Sequence, residues 1–182
     1  MKWKSHVNHI ISMISKNIGI MGKLRDCLPQ NILLLLYNTL VLPHLNYCII
    51  LWGKCNMYLL ERLHKLQKRA VRVITNSSYL SHSNPLFVKL KILPIFQLYE
   101  YNLGIFMFLF NKEMLPEIFS SLFIKNIDIH EYNTRSKLHF RVQYGRTSFS
   151  HSLVTYQGPK LWNDLPSNIK KLFVVEFFQK KI

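Results

Sequence analysis

Apolar residues in the first half of the chain recur at helical spacing, and prolines cut the pattern into pieces. Val7, Ile10, Ile11, Ile14, Ile18, Met21 and Leu24 share one face of a helix that Ser5 can cap and Pro29 ends near Leu28. The pattern predicts a second helix from Gln30 to Leu42 and, beyond Pro43, a third segment from His44 to Trp52. After a turn at 53–56, an amphipathic helix runs to about Thr75. Asn76-Ser77-Ser78 breaks it. Pro85 can begin a short helix through Leu90, and Pro94 opens an aromatic-rich one, IFQLYEYNLGIFMFLFNK. Pro116 starts a piece ending near Phe123.

Beyond Lys125 the helical period fades. In LHFRVQY, residues 138–144, the apolar positions Leu138, Phe140, Val142 and Tyr144 alternate as in a strand, with Arg141 on the other face. Gly145 reads as a turn and 148–152 as a second extended piece. Pro159 suits the first turn of a helix through Asn163, and Ser167 caps a last amphipathic segment.

The helix after the turn at 53–56 carries the strongest functional signal. On a helical wheel Leu63, Leu66, Ala70, Val73 and Ile74 fall within about 60° of Leu59, a core-facing stripe. Arg62, Lys65, Lys68, Arg69 and Arg72 gather on one flank, interrupted only by Glu61. Such a flank is either a solvated surface or a phosphate-tracking one. Solvated faces usually mix signs for i, i+4 pairing, and this one does not.

Charge sharpens the picture. The 182 residues carry 24 Lys and Arg against 9 Asp and Glu, a net charge of +15, which points to nucleic acid or another anionic partner. Arg135, Lys137, Arg141 and Arg146 form a second basic cluster, interleaved with Tyr132, His139, Phe140 and Tyr144. Arginine with aromatics suits RNA whose bases are free to stack. Equally, the aromatics can form a small core that the arginines solubilise. Trp162, with Leu161 and Leu165, reads as core.

The stretch Asn31–Gly53 has no charged residue and is long enough to span a bilayer, as is Ile92–Phe110. Asn31, Asn38, Thr39, His44 and Asn46 in the first, and Gln97, Glu100 and Asn102 in the second, argue for buried helices instead. Cys27, Cys48 and Cys55 cannot all pair with one another. They read as reduced thiols of an intracellular protein, nuclear or cytoplasmic.

Catalytic signals are absent from the sequence. Its nine acids include no Asp-Asp or Asp-x-Asp pair to hold two metal ions. The six glycines are scattered, no GxSxG elbow occurs, and Cys48, Cys55 and His64 make a trio without a fourth zinc ligand. His6, His9, His82, His130, His139 and His151 read as surface or turn-capping residues. No catalytic residue, metal or cofactor is therefore expected.

The order of several segments resembles a known family. LYNTLVLPHLNYCIILWG followed by LERLHKLQKRAVRVIT, with WKSHVNHI before and HSNPLF, LKIL, HEYNTRSK, GRTSF and GPKLWNDLP after, resembles the region beyond the polymerase palm in reverse transcriptases of LINE-type (non-LTR) retrotransposons. The family's palm motif, an aromatic residue followed by x-Asp-Asp, does not occur here. The resemblance implies a mainly α protein in three parts. Residues 1–76 would be a thumb-like helical bundle, 77–125 additional helices packed on it, and 126–182 a small α+β or irregular C-terminal unit. It also implies RNA and DNA as partners, held as template–primer or element RNA, with a palm and fingers supplied by a longer chain. The alternative is a non-catalytic helical module that packs on such a palm. Neither reading requires a membrane.

Overall fold

A computed structural model describes residues 3–129, 132, 134–166 and 168–170. It is mainly helical, as the periodicity predicts. The chain divides into two compact units, Met1–Tyr99 and Glu100–Ile182.

In the first unit, α1 (Lys4–Leu24) packs chiefly against α5 (Met57–Ile74). Val7, Ile10, Ile14, Ile18 and Met21 are the buried stripe of α1. Helix α1 begins one residue before Ser5, and no side chain caps it. Between α1 and α5 lie α2 (Gln30–Leu40), α3 (Leu42–Asn46) and α4 (Ile49–Trp52). Pro43 stands in the first turn of α3, where its missing N–H costs nothing. Cys48 adopts a left-handed backbone (φ 50°) between α3 and α4. The turn is braced by buried Trp52, whose Nε1 donates to the Tyr47 carbonyl at 2.8 Å.

The cap of α5 is Asn56, whose side chain accepts from the Tyr58 N–H at 2.9 Å. At the other end Asn76 turns left-handed (φ 49°), and the Ser77 N–H closes onto the Arg72 carbonyl. Leu59, Leu63, Ala70, Val73 and Ile74 are buried, but Leu66 is only half-buried, and the neighbouring Gln67 is fully buried instead. The buried face is therefore turned toward Leu60, Gln67 and Val71 relative to the expected stripe. Gln67 is buried because its amide serves the chain segment before α7 (Ile95–Asn111): Nε2 donates to Leu93 O, and Oε1 accepts from Ile95 N. Together with the packing of α6 (Ser83–Leu90) on α5, these bonds place residues 77–99 in the first unit.

The run Ser83–Asn111 is long and apolar enough to cross a membrane. It is, however, two helices joined through left-handed Lys91. Phe87, Leu90, Ile95, Leu98, Leu103 and Met107 within this run are buried.

Gly53 marks a close approach. A Cβ there would meet the Tyr99 ring and lie 2.6 Å from the Ile49 carbonyl oxygen. Gly53→Ala should therefore lower stability by about 1–3 kcal/mol in urea unfolding, through overpacking against groups with little room to move. An unchanged midpoint would show that the Tyr99 ring does not sit there.

In the second unit, Met107, Phe108, Phe123, Phe140 and Trp162 form the core. Trp162 is core as expected. The strand expected at 138–144 is not found. The described residues there make a single isolated antiparallel bridge, Lys125 to Phe140. Leu138 and Tyr144 are exposed while Phe140 is buried, so the four alternating residues do not share a face. The Phe140 backbone is satisfied by a side chain: its N–H donates to Asn163 Oδ1 (3.0 Å), and its carbonyl accepts from Asn163 Nδ2 (2.8 Å). The extended piece expected at 148–152 is instead a short helix, α8 (Ser148–His151), capped by the Thr147 side chain. Helix α9 (Val154–Asp164) begins five residues before Pro159, which lies inside it after Gly158, where a Cβ would meet the Met107 and Phe123 side chains. The segment expected from Ser167 onward lies outside the described residues beyond Lys170, as does His130.

Candidate nucleic-acid interface

Helix α5 presents its five cations along one flank. At 1.5 Å per residue, Arg62 and Arg72 stand about 15 Å apart along the axis, the length of four or five phosphate spacings on one strand. The five differ in how they are held. Arg62 donates to Asn8 Oδ1 of α1 at 3.1 Å and lies over the Tyr58 ring. Arg72 donates from Nε to the Ser81 carbonyl at 3.0 Å and lies over the Tyr79 ring. Lys65 and Arg69 are exposed and Lys68 is half-buried, and none of these three has an ion-pair or hydrogen-bond partner among the described residues. The flank is thus fixed at both ends and free in the middle.

Two open grooves adjoin it. One is lined by all five cations with Ile11, Leu66 and Tyr79. Half-buried Leu66 therefore forms apolar lining beneath the charges, which explains its departure from the core stripe. Arg69, Arg72 and Tyr79 also line a second groove beside Gly19, Gly22, Lys23 and Arg25 of α1 and the loop after it. Sequence reasoning missed this α1 wall and Tyr79. The available signals were two glycines three apart inside a helix and an aromatic beside the helix break.

The second basic cluster is arranged differently. Arg135, Arg141 and Arg146 are exposed and Lys137 is half-buried. No hydrogen bond, ring contact or ion pair joins the four among the described residues. Of the interleaved aromatics, Phe140 belongs to the core, whereas Tyr132, Tyr144 and His139 are exposed. Tyr144 packs edge-on to Tyr156, and His151 stacks on the same ring at 4.6 Å.

The trio Cys48, Cys55 and His64 is not assembled. His64 lies between the rings of Phe87 and Phe96, where burial and then the Lys68 charge hold its pKa down, favouring the neutral imidazole. Cys48 is exposed, and burial pushes the half-buried Cys55 thiol up. No group of three or more His, Cys, Asp or Glu among the described residues could hold a metal ion. His6, expected at the surface or capping a turn, is half-buried between Trp3 and Trp52.

Comparison with protein-family models, curated proteins and solved structures finds no match.

Proposed function

We propose that this chain is a nucleic-acid-binding, post-palm part of a retrotransposon RNA-directed DNA polymerase. It would hold template–primer or element RNA, and it does not itself carry the catalytic carboxylates. The observation that supports this best is the single-signed flank of α5, with Lys65, Lys68 and Arg69 unpaired beside an open groove. The family assignment rests on the order of sequence segments, and the work it implies is intracellular.

Side chains on a helix flank reach phosphates without reading base edges, so binding is weakly sequence-specific. With two or three of the five cations engaged, log affinity for duplex falls against log salt with a slope of about −2 to −3; with all five the slope is about −4 to −5. Fluorescence anisotropy with a labelled duplex and a labelled RNA, across a salt series, measures this. Absence of salt-dependent binding to either would reject the proposal.

One observation favours a second reading. Leu35, Tyr47 and Leu51, on and between α2 and α4, are large apolar residues left about half or more exposed. A module that packs on a palm would present such a face, and it would succeed the first reading if the salt series shows no binding.

A further inference from the structure

We propose that the groove between α1 and the turn after α5 takes an unpaired nucleotide, its base stacked on Tyr79 and its phosphate held by Arg69 and Lys23. This rests on the nucleic-acid reading above and deepens it: the strand followed by the α5 flank would end, or pass, through a single-stranded step here.

The cavity itself carries the inference. It is open, about 590 Å³, and within the size range of ligand clefts. Its charge is predominantly positive: the one acid on its wall, Asp26, is paired with Arg25 at 3.3 Å, leaving Lys23, Arg69 and Arg72 in excess. Tyr79 is 80% exposed. The Arg72 guanidinium lies 5.8 Å from its ring centroid, and the bond from Arg72 Nε to the Ser81 carbonyl anchors that guanidinium. An exposed aromatic beside fixed cations is the arrangement on which single-stranded bases stack, whatever their identity. Because Arg69, Arg72 and Tyr79 also line the groove along α5, a nucleotide here is continuous with phosphates lying on Lys65 and Lys68.

The glycines shape the floor. A Cβ on Gly19 or Gly22 would meet nothing within 4 Å, so no internal contact requires glycine at either position. Each nonetheless makes the helix less stable than alanine would. Their effect is to leave the backbone of α1 bare toward the cavity, where a ligand can approach it closely.

The test compares a blunt 16-base-pair duplex with the same duplex carrying a four-nucleotide single-stranded overhang. Wild type should prefer the overhang by about 5- to 150-fold, the worth of one stacked base. Tyr79→Ala should bring that ratio near one, and Tyr79→Phe should restore it. The Gly19→Ala, Gly22→Ala pair should raise the melting temperature while lowering the ratio, a combination that loss of folding cannot produce. Binding of both duplexes without preference, or a ratio untouched by Tyr79→Ala, would overturn the inference and leave the proposed function standing. Binding to neither would reject the proposed function, and this inference with it.

Discussion

Gln67→Met should destabilise the first unit by about 3–5 kcal/mol, as much as the loss of a large core side chain. Gln67 is fully buried on α5. Its Nε2 lies 3.1 Å from the Tyr37 hydroxyl and 3.3 Å from Leu93 O, and its Oε1 accepts from Ile95 N at 2.7 Å. That last bond serves the start of α7, where the first N–H groups have no partner within the helix and Pro94 has none to offer. Methionine keeps the length and fills the space, so no large cavity opens. What it removes is the hydrogen bond to two buried groups, the Tyr37 hydroxyl and the Ile95 N–H, and to the part-buried Leu93 carbonyl, at about 1–3 kcal/mol for each buried group left unsatisfied. The Tyr37 phenol reports the same environment: burial raises its pKa to about 12, and the bond from Gln67 opposes that rise. In urea unfolding, Tyr37→Phe should cost less than Gln67→Met, and the two together less than their sum, because they share one bond. A Gln67→Met protein within about 0.5 kcal/mol of wild type would mean that the amide grips nothing.

Gln67 also shows where the sequence stopped being legible. The period of α5 was readable, and so were the Pro43 junction, the turn at 53–56 and the break at 76–78, because each depends on residues close in sequence. A glutamine on the buried face was not, since its partners lie 26 to 30 residues away. The second unit was harder for the same reason. Alternation at 138–144 imitates a strand, yet the backbone of Phe140 finds its partner in the side chain of Asn163, 23 residues on. No local pattern announces such a pairing. The basic flank was fully readable as a row of cations. That two of its members are tied to Asn8 and Ser81 was not, and the distinction changes which mutations are informative.

Lys65→Ala with Arg69→Ala is the informative pair for binding. Removing Arg72 would also remove its bond to the Ser81 carbonyl and its contact with Tyr79, so a weakened Arg72→Ala protein would report on the turn as much as on charge. Lys65 and Arg69 are exposed, one helical turn apart, and have no ion-pair or hydrogen-bond partner among the described residues. Their truncation should therefore leave the urea midpoint within about 0.5 kcal/mol of wild type. If both engage phosphates, the slope of log affinity against log salt becomes shallower by about one to two. At about 0.1 M salt, each lost contact is then worth roughly tenfold, so the pair should weaken binding about 50- to 100-fold, nearly uniformly across sequences. The matching pair Arg135→Ala with Arg141→Ala, from a loop whose cations are not drawn together, should cost less than tenfold if α5 is the main track. The opposite ranking would move the interface to the C-terminal loop. A Lys65→Ala, Arg69→Ala protein with undiminished affinity and an unchanged salt slope would make the α5 flank a solvated surface, and the exposed apolar side chains Leu35, Tyr47 and Leu51 would then be the features to explain.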